Sequence, residues 1–274
     1  GPRDARGRLT ADARRFPSGM RAMGDRLHVM GLRFGLYTAI GEVTCALRPG
    51  SFGHEAEDAR AFAEWGVDSL KVDWCWHAGL LEAFGALRPA DAYARFKTAL
   101  DDAGRPIALS IASMGTREAV AIMPERNVGE WAPALGATFR VGGDITNDWA
   151  GVLHGLAKAN DWAAAVTPGH YADPDSLQVG NGELDADESR AHLAMWAMAS
   201  APLVLGNDLT AMPPDVRGLL GDRALVAIDQ DPLRIPGTVV ARSDAGVETW
   251  SKPLVGKARR AVALFNPTSR PERA

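Results

Sequence analysis

The chain has 274 residues, of which 46% are hydrophobic and 23% charged, a composition typical of a globular protein with a sizeable core. Its formal net charge of −4 argues against a nucleic-acid partner and against binding to an anionic membrane surface. No run of eighteen apolar residues occurs, so no transmembrane helix is expected, and the polar first sixteen residues do not have the apolar centre of a signal peptide.

Helical and strand-like patterns alternate along most of the chain, with short connections between them. In chain order, the predicted elements are a helix over 16–31, a strand over 32–38, a helix over 55–65, a strand over 69–74, a helix over 90–103, a strand over 107–112, a partly helical segment over 117–135, a strand over 137–144, a helix over 149–164, a strand over 166–177, a helix over 187–200, a strand over 202–208 and a helix over 213–222. Such alternation predicts an α/β fold with a parallel sheet. The absence of a GxGxxG fingerprint after the first strand favours a (β/α)8 barrel of the TIM type over an open sheet.

The pattern changes at about Gly237, where apolar and polar residues begin to alternate on both sides of a Ser-Asp-Ala-Gly turn. This alternation predicts a hairpin that opens an antiparallel β-sandwich domain. We therefore predict a partial barrel over 1–236 and the beginning of an all-β domain over 237–274. Because six barrel strands are found instead of eight, the chain is expected to lack the first two β/α units and to be a fragment.

The predicted strand over 69–74 ends in polar side chains. Lys71 and Asp73 alternate with apolar residues, so they share one face of the strand. Opposite charges on a buried strand are costly unless they pair, and we expect Lys71 to hold Asp73 in its ionised form. Two other interpretations stay open: an ion pair that only stabilises the strand end, and a Schiff-base lysine at position 71 in an aldolase-type barrel.

A second carboxylate follows the end of another predicted strand. Asp144 comes after Gly142 and Gly143, which permit a close approach between the backbone and a bound molecule, and Arg140 precedes it by four residues. Strand ends converge on one mouth of a barrel, so Asp73 and Asp144 are expected to meet there. Two facing carboxylates perform glycoside hydrolysis, one attacking the anomeric carbon and the other protonating the leaving oxygen.

The two cysteines, Cys45 and Cys75, each follow a predicted strand. A disulfide between them would stabilise the fold by about 3–4 kcal/mol in the chain-entropy model and would imply an oxidising compartment. Two reduced, buried thiols are equally consistent with the residues themselves. The six histidines show no metal-ligand spacing, so no metal site is expected.

These motifs together resemble glycoside hydrolase family 27, which contains α-galactosidases and α-N-acetylgalactosaminidases. The similar stretches, in chain order, are FPSGM, GLRFGLYT, the TC of VTCALRPGS, GHEAEDARAFAEWGVDSLKVDWC, RVGGDI, DPDSLQVGN, MWAMASAPLVLGNDL and IDQDPL. The resemblance implies a secreted, retaining exo-glycosidase that releases terminal α-D-galactosyl residues from an oligosaccharide or glycoside, without a metal or organic cofactor. It implies no oligomeric state.

The resemblance also implies roles for individual residues. Asp73 falls at the nucleophile of the family and Asp144 at its acid/base, and retaining enzymes hold two such carboxyl groups about 5–6 Å apart. The positions that correspond to sugar-subsite residues are Tyr37, Lys71, Cys75, Ser113, Arg140 and Asp175. Cys45 and Cys75 correspond to a family disulfide beside the active site.

Three departures from the family pattern leave alternatives open. The opening β/α units, with a Trp and an Asp-Asp pair that grip the sugar, are absent, and Ala39 stands where the family usually has Asp. Ser113 replaces a Glu that contacts the 2-hydroxyl of galactose, so an α-N-acetylgalactosaminidase and a β-L-arabinopyranosidase are alternatives. A different class of interpretation is an inactive fragment that binds carbohydrate without catalysis.

Overall fold

The structure is a computed structural model that describes residues 2–75, 88–113, 127–268 and 270–272. Within these residues the chain divides into two compact units, of which the first extends to Phe139 and the second begins at Arg140. No helix in the described part of the chain is both long enough and apolar enough to cross a membrane.

The first unit contains alternating helices and strands. In chain order its elements are α1 (Gly19–Val29), β1 (Gly35–Ala39), α2 (Glu55–Glu64), β2 (Ser69–Asp73), α3 (Pro89–Asp102), β3 (Ala108–Ala112), α4 (Val128–Trp131), a 3-10 turn (Ala132–Ala134) and β4 (Thr138–Arg140), whose last residue belongs to the second unit. Strands β1, β2, β3 and β4 pair in parallel in that order. The predicted parallel α/β arrangement is therefore confirmed, with strand ends that differ from the prediction by a few residues.

The parallel sheet of the first unit has one apolar face and one polar face. Leu70, Val72 and Ile111 point to the apolar face and are fully buried, and each contributes about 1.5–3 kcal/mol through burial. Tyr37, Lys71 and Ser110 occupy matching register positions on β1, β2 and β3 and therefore point to the opposite face. The predicted site residues Tyr37 and Lys71 therefore share this second face.

Asp68, which directly precedes β2, ties three parts of the first unit together. Its carboxylate accepts hydrogen bonds from the backbone N–H of Phe34 at 2.7 Å and from Arg105 at 2.5 Å, and it lies 2.7 Å from Nε2 of His28. Burial opposes ionisation of Asp68, but these partners outweigh burial and lower its pKa to about 2. The contacts of the Asp68 carboxylate thus fix the beginning of β2, at the other end of the strand from Asp73.

The described residues of the second unit form one short strand, four helices and an antiparallel sheet. In chain order its elements are α5 (Trp149–Asp161), a 3-10 turn (Ala163–Ala165), β5 (Tyr171–Asp173), α6 (Ala186–Ala199), α7 (Pro214–Leu220), α8 (Arg223–Asp229), β6 (Thr238–Arg242), β7 (Glu248–Pro253) and β8 (Arg260–Phe265). Strands β6, β7 and β8 form a separate antiparallel sheet, which confirms the predicted hairpin. Trp250 and Phe265 from this sheet share one hydrophobic core with Trp196 of α6, while the domain boundary after residue 236 stays a prediction.

The predicted strand over 202–208 is wrong. Only Leu205 makes a strand-like contact there, an isolated parallel bridge to Leu177. Pro202 has no N–H to donate to a sheet, and both Val204 and Leu205 are exposed, so apolar composition in this segment does not indicate a buried strand. The predicted helix over 213–222 is confirmed as α7, and α8 follows it directly because the side chain of Asp222 caps its first turn.

Candidate functional site

Asp73 is the last residue of β2 and is half-buried. Its Oδ2 accepts a hydrogen bond from the hydroxyl of Tyr37 at 3.0 Å, and its Oδ1 accepts one from the backbone N–H of Trp74 at 2.8 Å. Tyr37 lies on β1, two residues before Ala39, which is the register partner of Asp73. Two neutral donors on neighbouring elements therefore hold both oxygens of the predicted nucleophile.

The predicted ion pair between Lys71 and Asp73 does not form. Among the residues that the structure describes, no basic side chain lies within ion-pair distance of Asp73. Lys71 instead lies level with Tyr37 and Ser110 on the polar face of the sheet.

Cys45 and Cys75 form the disulfide that the resemblance implied, with their Cα atoms 5.2 Å apart. Their sulfur atoms and a carboxylate oxygen of Asp73 lie within 4.8 Å of one another, and Sγ of Cys75 is 3.7 Å from the hydroxyl of Tyr37. The alternative of two reduced thiols is wrong. Because each sulfur is bonded to the other, this cluster does not offer thiolate ligands to a metal.

Tyr93, on α3, is a residue near the site that sequence reasoning missed. It is fully buried, and its hydroxyl donates to the carbonyl oxygen of Val72 at 3.0 Å. Burial raises the pKa of Tyr93 well above its ordinary value, and the negative charge of Asp73 raises it further. In the sequence, Tyr93 lies on the apolar face of the predicted helix over 90–103, which indicates only a core residue.

In the second unit, the side chain of Arg140 joins two predicted site residues. Its Nη2 lies 3.2 Å from Oδ1 of Asp144 and 2.9 Å from Oδ2 of Asp175. It also donates to the carbonyl oxygen of Gly143 at 2.6 Å. The arginine side chain is only 2% exposed whereas that of Asp144 is 89% exposed, so a buried cation orients an accessible carboxylate.

Asp175 is held in an unusual backbone conformation. Its φ of 87° is disfavoured for any residue other than glycine and costs on the order of 1–3 kcal/mol. Its carboxylate accepts hydrogen bonds from the backbone N–H groups of Ile145 at 3.0 Å and Ser176 at 2.7 Å. Its carbonyl oxygen accepts one from Nε1 of Trp196 at 3.0 Å, so the strain is stabilised on several sides.

A cavity of about 330 Å³ lies beside Asp144 in the second unit, and Gly142, Thr146 and His154 line part of it. In the first unit, Ser113 is almost completely buried, and its hydroxyl has no hydrogen-bond partner among the described residues. The segment that follows Ser113, residues 114–126, lies outside those residues. The role of Ser113 and the separation of the Asp73 and Asp144 carboxyl groups both stay predictions.

Comparison with known proteins gives a consistent result. The family model described as alpha galactosidase A matches residues 1–231 of the chain. The alpha-galactosidase 2 of Arabidopsis thaliana is 38% identical over 266 residues, which cover 96% of this chain and 62% of that protein. The alpha-galactosidase A of Cellvibrio japonicus is 37% identical over 277 residues, which cover 97% of this chain and 64% of that protein.

A solved structure is similar as well. The alpha-galactosidase of Saccharomyces cerevisiae with raffinose is 30% identical and superimposes with a TM-score of 0.81, over 93% of this chain and 61% of that one. The chain thus spans about three fifths of the length of these relatives. Since the family model covers most of the sequence, the chain belongs to the alpha galactosidase A family.

Proposed function

We propose that the protein is a retaining exo-glycosidase that hydrolyses terminal α-D-galactosyl residues, on a (β/α)8-type barrel of which this chain supplies the larger part. The observation that carries the proposal is the environment of Asp73, a carboxylate at the end of a parallel strand. Neutral donors hold its two oxygens beside a disulfide, in a chain of the alpha galactosidase A family. Strand ends of this kind carry the active sites of parallel α/β barrels.

In the proposed first step, Asp73 attacks the anomeric carbon of the substrate. A bond forms between that carbon and a carboxylate oxygen, the glycosidic C–O bond breaks, and Asp144 gives its proton to the leaving oxygen. In the second step, water attacks the same carbon, Asp144 accepts its proton, and Asp73 is released. Two inversions leave the anomeric configuration unchanged.

The other predicted site residues are proposed to orient the acid/base and to bind the sugar. Arg140 keeps Asp144 next to Asp175, and the cavity beside Asp144 offers room for a leaving group at the carboxylate that protonates it. Tyr37, Lys71 and Ser113 are proposed to contact the sugar from the first unit, together with Cys75.

The proposed substrates are oligosaccharides and glycosides with a terminal α-galactosyl group. The related yeast enzyme has a structure with raffinose, an oligosaccharide. The disulfide fits a protein that works in an oxidising compartment, so we propose secretion. Rates on the p-nitrophenyl glycosides of α-galactose, α-N-acetylgalactosamine and β-L-arabinopyranose would rank the alternatives that Ser113 leaves open, and turnover of none of them would favour the non-catalytic interpretation.

Covalent labelling tests the assignment of the nucleophile. We expect 5-fluoro-α-D-galactosyl fluoride to inactivate the protein and to leave one sugar attached to Asp73, as measured by intact mass and peptide mapping. The variant Asp73→Asn should not be labelled, whereas Asp101→Asn, which alters an exposed carboxylate on α3, should be labelled like the wild type. Inactivation with the label on another residue would refute the assignment. Borohydride trapping of a carbonyl substrate on Lys71 would instead support the aldolase alternative.

A further inference from the structure

We infer that Tyr93 is a positioning residue that fixes the two residues on either side of Asp73. The inference rests on the proposed function, in which Asp73 is the nucleophile. Tyr93 does not touch the Asp73 carboxylate through any hydrogen bond found among the described residues. It acts through Val72 and Trp74 instead.

The first contact is a buried hydrogen bond. The Tyr93 hydroxyl donates to the carbonyl oxygen of Val72 at 3.0 Å, and neither side chain is exposed to solvent. Because burial raises the pKa of Tyr93, the phenol stays protonated and remains a donor. This bond ties helix α3 to the backbone of β2 one residue before Asp73.

The second contact is an aromatic stack. The Tyr93 ring lies 6.0 Å from the indole of Trp74, with an angle of 25° between the planes. The backbone N–H of Trp74 donates to Oδ1 of Asp73 at 2.8 Å. The ring of Tyr93 therefore fixes the residue that supplies one of the two hydrogen bonds to the carboxylate.

A third aromatic residue limits the movement of Tyr93 itself. The indole of Trp131 stacks on the Tyr93 ring at 5.5 Å, with an angle of 28° between the planes. Trp74, Tyr93 and Trp131 form an aromatic ladder that begins beside Asp73 and ends on α4. A carboxylate oxygen that attacks carbon must stay aligned with the bond that breaks. Displacement of this oxygen by about 1 Å lowers the rate by up to about 100-fold. The ladder provides this restraint through Trp74, the residue that follows Asp73.

The test measures the rate of labelling of Asp73 by 5-fluoro-α-D-galactosyl fluoride in the full-length protein. Tyr93→Phe keeps the ring and removes the hydroxyl, together with its hydrogen bonds to Val72 and to the backbone of Ala112. We expect labelling about tenfold slower, with an inhibitor dissociation constant within about twofold of wild type. Tyr93→Leu removes the stack as well and should slow labelling by about 100-fold. A purely structural role would lower the melting temperature without this change in rate.

Phe96→Leu is the matched control, since Phe96 is fully buried on the same helix and takes no part in the ladder. It should lower the melting temperature while its folded fraction is labelled at the wild-type rate. Labelling of Tyr93→Phe at the wild-type rate overturns the inference and leaves the proposed function standing. Failure to label the wild-type protein at Asp73 overturns both. If Tyr93→Phe does not fold, Trp131→Leu must slow labelling about threefold, and an unchanged rate overturns the inference.

Discussion

The two units of the chain hold their candidate catalytic carboxylates in different ways. Asp73, in the first unit, ends a paired strand and receives hydrogen bonds from one hydroxyl and one backbone N–H, both uncharged. Asp144, in the second unit, follows two glycines and is oriented by Arg140, a buried cation that it shares with Asp175. The first carboxylate is half-buried whereas the second is almost fully exposed.

The difference corresponds to the two proposed tasks. A nucleophile must keep one direction of attack, and a strand, a disulfide and an aromatic ladder restrain the backbone around Asp73. An acid/base must meet a leaving group in one step and water in the next, and an exposed carboxylate on a glycine-containing loop has access to both. The variants below test this contrast.

The largest effect is expected for Asp144→Asn, which removes the proposed proton donor. The value of kcat/KM for raffinose, whose leaving group needs a proton, should fall by about 10²–10⁴-fold. The value of kcat/KM for a p-nitrophenyl galactoside reports the first step and should fall much less, because its leaving group departs without protonation. The value of kcat should fall for both substrates, since Asp144 also accepts the proton of water in the second step. Steady-state kinetics on both substrates measure the difference, and Asp187→Asn, which changes an exposed carboxylate on α6, serves as the control. An equal loss of kcat/KM on both substrates would contradict an acid/base role.

Arg140→Met tests the charged arrangement of the second unit. The change leaves Asp175 without its cation at a mostly buried position and should reduce the free energy of unfolding by about 3–5 kcal/mol. Lys71→Met is the matched change in the first unit, where no ion pair with Asp73 exists, and should cost less than about 1 kcal/mol. Urea unfolding of both variants measures the contrast, and equal losses would show that Lys71 contributes more than its contacts indicate.

Removal of the disulfide tests the covalent restraint in the first unit. The double variant with Cys45→Ser and Cys75→Ser should lose about 3–4 kcal/mol of stability, because its unfolded chain gains the freedom of a loop of about 30 residues. Thermal melts with and without dithiothreitol provide the measurement. The wild-type melting temperature should fall in reductant and that of the double variant should not. If reductant lowered the melting temperature of both proteins, the sensitivity would not come from this disulfide.

The smallest effect is a difference in pH dependence between the units. Burial raises the pKa of Asp229 in the second unit to about 6, against the opposing charges of Lys252 and Arg234. In the folded protein the Asp229 carboxyl binds its proton more tightly than it does in the unfolded chain. Its protonation therefore contributes its full stabilisation below the ordinary pKa of 3.8, and this stabilisation is lost as the pH rises through 6. Asp68 in the first unit has its pKa lowered to about 2, so its contribution is present above 3.8 and is lost as the pH falls through 2.

Urea unfolding of Asp229→Asn between pH 3 and 7 should therefore show a weaker decline in stability above pH 4 than the wild type. Asp68→Asn is the control, since it should change only the acidic part of the profile. An unchanged profile in Asp229→Asn would mean that this carboxyl ionises in the folded protein as it does in the unfolded chain.

Most of the architecture could be predicted from local patterns. The alternation of apolar residues in β2 and the helical spacing in α2 and α3 are short-range properties, and they correctly predict a parallel α/β fold. Alternation on both sides of the turn near residue 244 predicts β6 and β7 for the same reason. The segment over 202–208 was predicted wrongly because apolar composition alone does not reveal a missing strand partner.

The sequence by itself determined the position of Asp73 close to the end of a strand and, through the resemblance, the pairing of Cys45 with Cys75. Only the tertiary structure decided that Tyr37 instead of Lys71 contacts Asp73, and that Tyr93 contacts both Val72 and Trp74. Within one strand, the geometry of the backbone sets the spacing of side chains and the face to which each one points. Contacts between distant residues depend on strand register and helix packing, which arise only when the whole unit folds.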